Sequence, residues 1–291
     1  MRDSPPDLAA LNRDTIRPST TGGWPADCIL RVEPQTAHKE FLDAMDYVEH
    51  VMLSITRART LVNRGETAAS YFGDDITVIV TTTMHDAALA DWDWTKERDV
   101  IRSFQPDFHI PTDYPVYWRD TPSQRRTNTK KCLKGTLWMI QELADTDVTI
   151  IPLLKGTTPQ ERALCYKVFQ ALGVTYCAFY GTQYLTSGKG ITPLTRDLRR
   201  IAGEAPSLDI LLIGLLDPDR LAALPPQVVA AAGLHQWISR VSLRDDDVSR
   251  QEQQQRLTAL NNAVDDACTG GQTPLGMWTG EPLYEEEVIH G

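Results

Sequence analysis

The sequence is short of cysteine, and none of it is clustered. Five residues, Cys28, Cys132, Cys165, Cys177 and Cys268, stand far apart with no CxxC pair. That spacing speaks against a zinc cage and against a disulfide framework, both of which need close sets of thiols. Long apolar runs are missing too: no window approaches the roughly 18 unbroken apolar residues of a membrane span. The opening Met1-Arg2-Asp3-Ser4-Pro5-Pro6 has no apolar signal core. A cytoplasmic protein with no membrane partner is expected. No glycine-rich dinucleotide fingerprint follows any apolar segment, and neither a cofactor nor a metal is expected. Positive charge is scarce, with 29 Lys and Arg against 39 Asp and Glu, a formal net charge of −10. Such a chain has no blanket attraction for nucleic acid, so a polynucleotide partner would need a local basic patch. The excess of Arg over Lys and of Asp over Glu fits a GC-rich, salt-adapted source, where screening makes an acidic surface uninformative about partners.

What the chain does hold is apolar segments in a regular beat. Its 291 residues are 42% hydrophobic, enough for one large domain with a sizeable core. Residues 1–23, rich in Pro, Ser, Thr, Asp and Gly, read as a mobile arm, and 24–291 as the folded domain. Cys28–Val32 opens as a short strand, Lys39–His50 has helical spacing, and Val51–Val62 fits strand or helix. Ile76–Thr83 is β-branched throughout, like a strand buried on both faces. Thr95–Phe104, with Thr95 as N-cap, is a helix; Phe108–Thr112 is a strand, Cys132–Ala144 a helix, Val148–Leu154 a strand. Thr158-Pro159-Gln160-Glu161 has the order of a capping box with Pro at N1, and Gly173 closes that helix. Strand Val174–Tyr180, helix Leu194–Ala202 and strand Leu208–Leu216 follow. Pro218–Leu224 opens a helical stretch that Gly233 ends, Gln236–Val241 reads as the last strand, and Glu252–Cys268 as a polar helix. Apolar strands alternating with helices about every 30 residues mean parallel βα units. Seven or eight of them suit a single-domain (β/α)8 TIM-type barrel. An open doubly wound sheet is the alternative, weakened by the missing glycine fingerprint.

In such a barrel the chemistry sits just after each strand. Those positions yield His85 and Asp86, Asp113 and Tyr114, Lys155 and Gly156, Tyr180 to Gln183, Asp217, and His235 to Trp237. Acids, imidazoles, amides and flat rings together can grip a planar, hydrogen-bonding ring such as a purine. Each position also has a plainer reading. Asp113 could cap the turn before Pro115, His85-Asp86 could start a helix, and Asp217-Pro218 has the form of an N-cap before Pro at N1. Lys155-Gly156 could be a simple turn, and Trp237 a core residue. Arg125-Arg126-Thr127-Asn128-Thr129-Lys130-Lys131 is the one basic run in the acidic chain. Read as a loop after Asp113, it offers Arg125, Arg126, Lys130 and Lys131 to phosphate.

Several of these segments resemble the tRNA-guanine transglycosylase superfamily, including its branch that installs 7-deazaguanines in DNA. Gln105–Asp113 is similar to the family's "D-I-V-M-x-x-D-E" strand, Leu153-Leu154-Lys155-Gly156-Thr157 to "I-V-Q-G-G", Ala178-Phe179-Tyr180-Gly181 to "G-G-L", and Leu212–Leu221 to "L-M-G-V-G-x-P-x-D-L". The resemblance implies a 7-deazaguanine-type base as ligand, free or in DNA or tRNA. It maps base binding to Asp113, Lys155, Gly156 and Gly181, with Tyr114 or Trp237 stacking on the ring. The family's catalytic aspartates fall near Thr81–Met84 and Leu234–Ile238, where this chain has no acid, and its zinc motif is missing. Base exchange through an aspartyl-sugar intermediate then needs a substitute, with His85, Asp86, Asp217 and His235 as the candidates. The rival expectation is an inactive base- or nucleic-acid-binding subunit that works as a homodimer or with a partner enzyme.

Overall fold

The computed structural model describes residues 11–18, 23–45, 47–83, 89, 92–185 and 191–269. Eight strands, all parallel, form one sheet: β1 (Asp27–Arg31), β2 (His50–Ser54), β3 (Thr77–Thr81), β4 (Phe108–Ile110), β5 (Thr149–Ile150), β6 (Tyr176–Tyr180), β7 (Asp209–Ile213) and β8 (Val228–Gly233). Their order is β5-β4-β3-β2-β1-β8-β7-β6. The segment just after β5 meets β6 through a parallel bridge between Leu153 and Ala178. There Leu154 N donates to Ala178 O and Ala178 N to Pro152 O, both at 2.9 Å. The sheet is thus a closed eight-stranded barrel, the architecture expected from the βα beat.

Strand alternation divides the core in two. Ile29, Met52, Ile79, Ile151, Leu211 and Ala230 turn inward and fill the barrel. Leu30, Leu53, Val80 and Leu212 turn outward under the helices. At the end where the strands begin, Trp24 stacks on Tyr176 with ring centroids 4.7 Å apart, and the Tyr176 hydroxyl donates to Pro25 O. That stack plugs the lower opening.

Several expectations are corrected. Val228–Gly233, alanine-rich and within the stretch read as helical, is strand β8, while Gln236–Val241, read as the last strand, falls on the helix His235–Arg240 and its C-cap Val241. In β8, Ala230 and Ala232 face a barrel interior already filled by Met52 and Ile79, so small side chains outweigh helix propensity there. The basic run is not a loop but the first half of the helix Pro122–Glu142, capped by Thr121, whose Oγ1 accepts from Gln124 N. Within the presumed arm, Leu11 and Ile16 are buried around a 3-10 turn, Arg13–Ile16, and Asn12 Nδ2 donates to Ala144 O. Asp93, not Thr95, caps the helix Trp94–Phe104. At Thr158 only half the capping box forms, because Glu161 Oε2 accepts from Thr157 N instead. The polar helix, Arg250–Thr269, lies on the barrel against β1 and β8, burying Leu257, Leu260 and Val264. Among the described residues no helix is long and apolar enough to cross a membrane.

Candidate active site at the mouth of the barrel

The strands end on one face, and β4 ends there abruptly. After Ile110 and Pro111, Thr112 takes a left-handed conformation at φ 52°, which a β-branched residue rarely adopts. Three contacts hold it. Thr112 N donates to Glu97 Oε1 at 3.0 Å, Thr112 Oγ1 donates to Cys132 O at 3.1 Å, and Gly135 lets the helix approach so closely that a Cβ there would stand 2.6 Å from Thr112 Cγ2. Glu97, only 2% exposed, also lies 2.8 Å from His109 Nε2, and His109 Nδ1 lies 3.0 Å from Val80 O. The turn carries Asp113 out of strand register, with its N–H donated to Thr82 Oγ1 at 2.9 Å. Backbone strain held by surrounding contacts is a recurrent mark of functional positions.

Asp113 is 8% exposed, and Lys155 from the end of the β5 segment forms an ion pair with its Oδ1. Burial works to lower the Lys155 pKa, but the Asp113 carboxylate, with lesser help from Cys132 and Tyr180, raises it above the usual lysine range. Lys155 is therefore a held cation. The Lys155-Gly156 turn is imposed locally: Gly156 sits at φ 124°, where a Cβ would meet Arg162 N at 2.7 Å. Beside Asp113 opens a cavity of about 250 Å³ walled by Trp92, Trp94, Tyr114 and Pro115, with Thr82 and Glu97 also on its lining. Trp94 Nε1 donates to the Tyr114 hydroxyl at 3.0 Å, and Lys131 Nζ stands 5.7 Å from the centre of the Tyr114 ring. Burial, only partly offset by the Trp94 hydrogen bond, raises the Tyr114 pKa.

Asp113, Tyr114 and Lys155 thus come together. Gly181 stands at the end of β6, its N–H donated to Ile213 O at 2.8 Å and its open side against Leu212, so its close approach is to β7. Gly156 likewise spends its close approach on its own helix. Trp237 has no free face: it is fully buried against Phe41 and His38, with Nε1 donating to Arg31 O at 2.8 Å. It cannot stack on a ligand. Arg125 is withdrawn from solvent, bonded to Glu161 Oε1 at 2.9 Å and to the Asp120 carbonyl at 2.5 Å, so it is not a phosphate ligand. Arg126 and Lys130 are exposed on the same helix, and Lys131 approaches the cavity. Asp217 is half-buried, precedes the turn Pro218–Leu221 without a side-chain cap bond, and lies 3.7 Å from Arg220. His235 is exposed at the start of its helix. His85 and Asp86 lie outside the described residues.

Residues that the sequence does not single out complete the mouth. Arg31 ends β1 half-buried, and its Nη2 donates a long 3.4 Å bond to Thr83 O. The nearby Glu33 is engaged by Arg57 at 2.7 Å. Among the described residues no carboxylate lies within ion-pairing distance of Arg31. Arg31 carries the same signal that singled out Asp113, a charge ending an apolar strand. Glu97 is readable only by its place on the stripe shared with Val100, Ile101 and Phe104. No protein-family model matches the chain, and no curated protein matches its sequence.

Proposed function

We propose that this chain binds a guanine-type base of the 7-deazaguanine class at the mouth of its barrel and acts on that base in modification of DNA or tRNA. The observation that carries the reading is Asp113, which lies on the lining of an aromatic cavity and is ion-paired with Lys155. The edge of a guanine-type ring presents a carbonyl oxygen beside two N–H donors. A lysine ammonium next to a carboxylate offers the complementary order, with Lys155 donating to the carbonyl and Asp113 accepting from the ring and exocyclic N–H groups. Trp94 and Tyr114 supply the flat apolar walls that a ring needs. The resemblance of these same segments to the transglycosylase superfamily supports the choice of base.

Breaking a glycosidic bond needs a further acid or nucleophile. Asp217 and His235 are the described candidates; His85 and Asp86, named from the sequence, lie outside the described residues. A second reading is favoured by one observation: the carboxylates on the cavity lining, Asp113 and Glu97, are both engaged by protein partners. In that reading the chain is a base-binding subunit that presents the base to another enzyme.

Calorimetric titration with guanine, 7-deazaguanine and its 7-cyano and 7-aminomethyl derivatives tests the pocket. Asp113→Asn is expected to weaken binding at least tenfold, about 1.4 kcal/mol, with circular dichroism checking the fold. Absence of binding by every base, or equal binding by the variant, would overturn the reading. Transfer of a labelled base into DNA or tRNA by the wild-type chain alone would decide for the enzyme over the binding subunit.

A further inference from the structure

Among the described residues, one inward charge at the mouth has no opposite partner. Lys155 is neutralised by Asp113, and Glu33, the acid closest in sequence to Arg31, is taken up by Arg57. Among the described residues, the Arg31 side chain is left with a single long hydrogen bond, to the Thr83 carbonyl. A guanidinium drawn out of water without a carboxylate is costly, and proteins keep such groups where a ligand supplies the charge. Burial also lowers the Arg31 pKa from its usual value, with Tyr180 and Glu33 only partly offsetting it. Its surroundings are suited to an oxyanion. β2 passes into the helix Ile55–Val62 with no intervening loop, and the N-cap Ser54 leaves the first turn without a side-chain cap, its hydroxyl 2.9 Å from Thr56 Oγ1 instead. The first N–H groups of that helix have no intrahelical partner, and β2, which leads into it, is the neighbour of β1 in the sheet. Tyr180 lies close enough to bear on the charge of both Arg31 and Lys155, linking the two sides of the mouth. β1 and β4 stand three strands apart in the sheet, ~14 Å along the wall.

We propose that Arg31 anchors a phosphate of the substrate, so that the mouth takes a nucleotide, with its base at Asp113 and Lys155 and its phosphate at Arg31. The proposal rests on the base-binding reading for the position of the ring, whereas the anion site rests on Arg31 alone. A guanidinium fork donating two parallel N–H bonds matches phosphate oxygens, which lysine cannot do with the same geometry. The phosphate could belong to a free mononucleotide or to the backbone of a polynucleotide.

The test is calorimetric titration of the full chain at low and high salt with 7-deaza-2′-deoxyguanosine, its 5′-monophosphate, deoxyribose 5-phosphate and a short single-stranded oligodeoxynucleotide carrying the same base. The monophosphate is expected to bind the wild type at least tenfold more tightly than the nucleoside. In Arg31→Gln that ratio collapses to within twofold, and Arg31→Lys retains part of it, with thermal melts confirming that both variants fold. An increment found with the oligonucleotide but not with the monophosphate supports the anchor and identifies the backbone as its source. Equal binding of nucleoside, monophosphate and oligonucleotide by the wild type, or an increment that survives Arg31→Gln, overturns the proposal and leaves the base pocket standing. Arg31-dependent binding of deoxyribose 5-phosphate, with no base effect sensitive to Asp113, leaves the anion site standing and removes the base reading.

Discussion

Asp27 opens β1 in a left-handed conformation, φ 58°, near the carboxyl of Asp265 on the helix that covers the β1–β8 seam. Burial first, and Asp265 second, raise its pKa from the ordinary 3.8 to about 6. The folded state therefore binds this proton more tightly than the unfolded chain. The linked stabilisation is complete below about 3.8 and is lost as pH rises through about 6. Asn imitates the protonated acid and tolerates the left-handed region well. Asp27→Asn is accordingly expected to melt about 1–2 °C above the wild type near pH 7.5, with the gap closing near pH 4. The effect is kept small because much of the side chain remains in contact with water, which screens the repulsion. Melting curves across that pH range decide it. A variant that melts below the wild type at the alkaline end would show that Asp27 is needed as a carboxylate.

The long helix Pro122–Glu142 and the end of β4 are fitted to each other through Thr112 and Gly135. Replacing a helical glycine by alanine ordinarily gains about 1 kcal/mol. Here the new methyl would meet Thr112 Cγ2, Cβ and Oγ1 at 2.6–2.8 Å, and overpacking of this kind costs about 1–3 kcal/mol. Gly135→Ala is expected to destabilise the protein on balance in urea titrations and to weaken base binding as well, since Thr112 sets the position of Asp113. Stabilisation with unchanged binding would show that the helix shifts freely. This element also shows how much was legible beforehand. Its apolar second half was readable from periodicity, but Pro122 to Lys131 is polar and carries no stripe, so the basic run passed for a loop although Thr121 and Gln124 form a capping box. β8 was hidden because alanines inside a barrel are chosen for size, which depends on the opposite wall. Asp113 and Lys155 were legible as polar residues ending apolar strands. Arg31 had the same form but was absorbed into its strand, and the role of Glu97 depends on contacts with Thr112 and His109 that no local spacing encodes.

Across the whole molecule the barrel wall is uneven. β2–β3 and β6–β7 pair over five residues each, whereas the segment that follows β5 meets β6 at one bridge, Leu153 with Ala178. β5 itself spans two residues, and Pro152 beside it has no N–H to donate. The wall is therefore expected to open first at this seam, since local opening follows the regions with the fewest hydrogen bonds. The candidate site is built at the same place: Lys155 follows directly on Leu154, and its ion pair with Asp113 ties the β5 segment to the end of β4. In native-state hydrogen exchange the amides of Leu154 and Ala178, which form the two seam bonds, should exchange faster than those of Asp209–Ile213 in β7, which has long pairings on both sides. A base held by Asp113 and Lys155 would restrain the β5 segment and slow exchange at Leu154 more than in β7. If Leu154 exchanges as slowly as β7 in the free protein, the seam is not the weak point. If ligand protection is uniform around the barrel, binding acts on global stability and not through the Asp113–Lys155 tie.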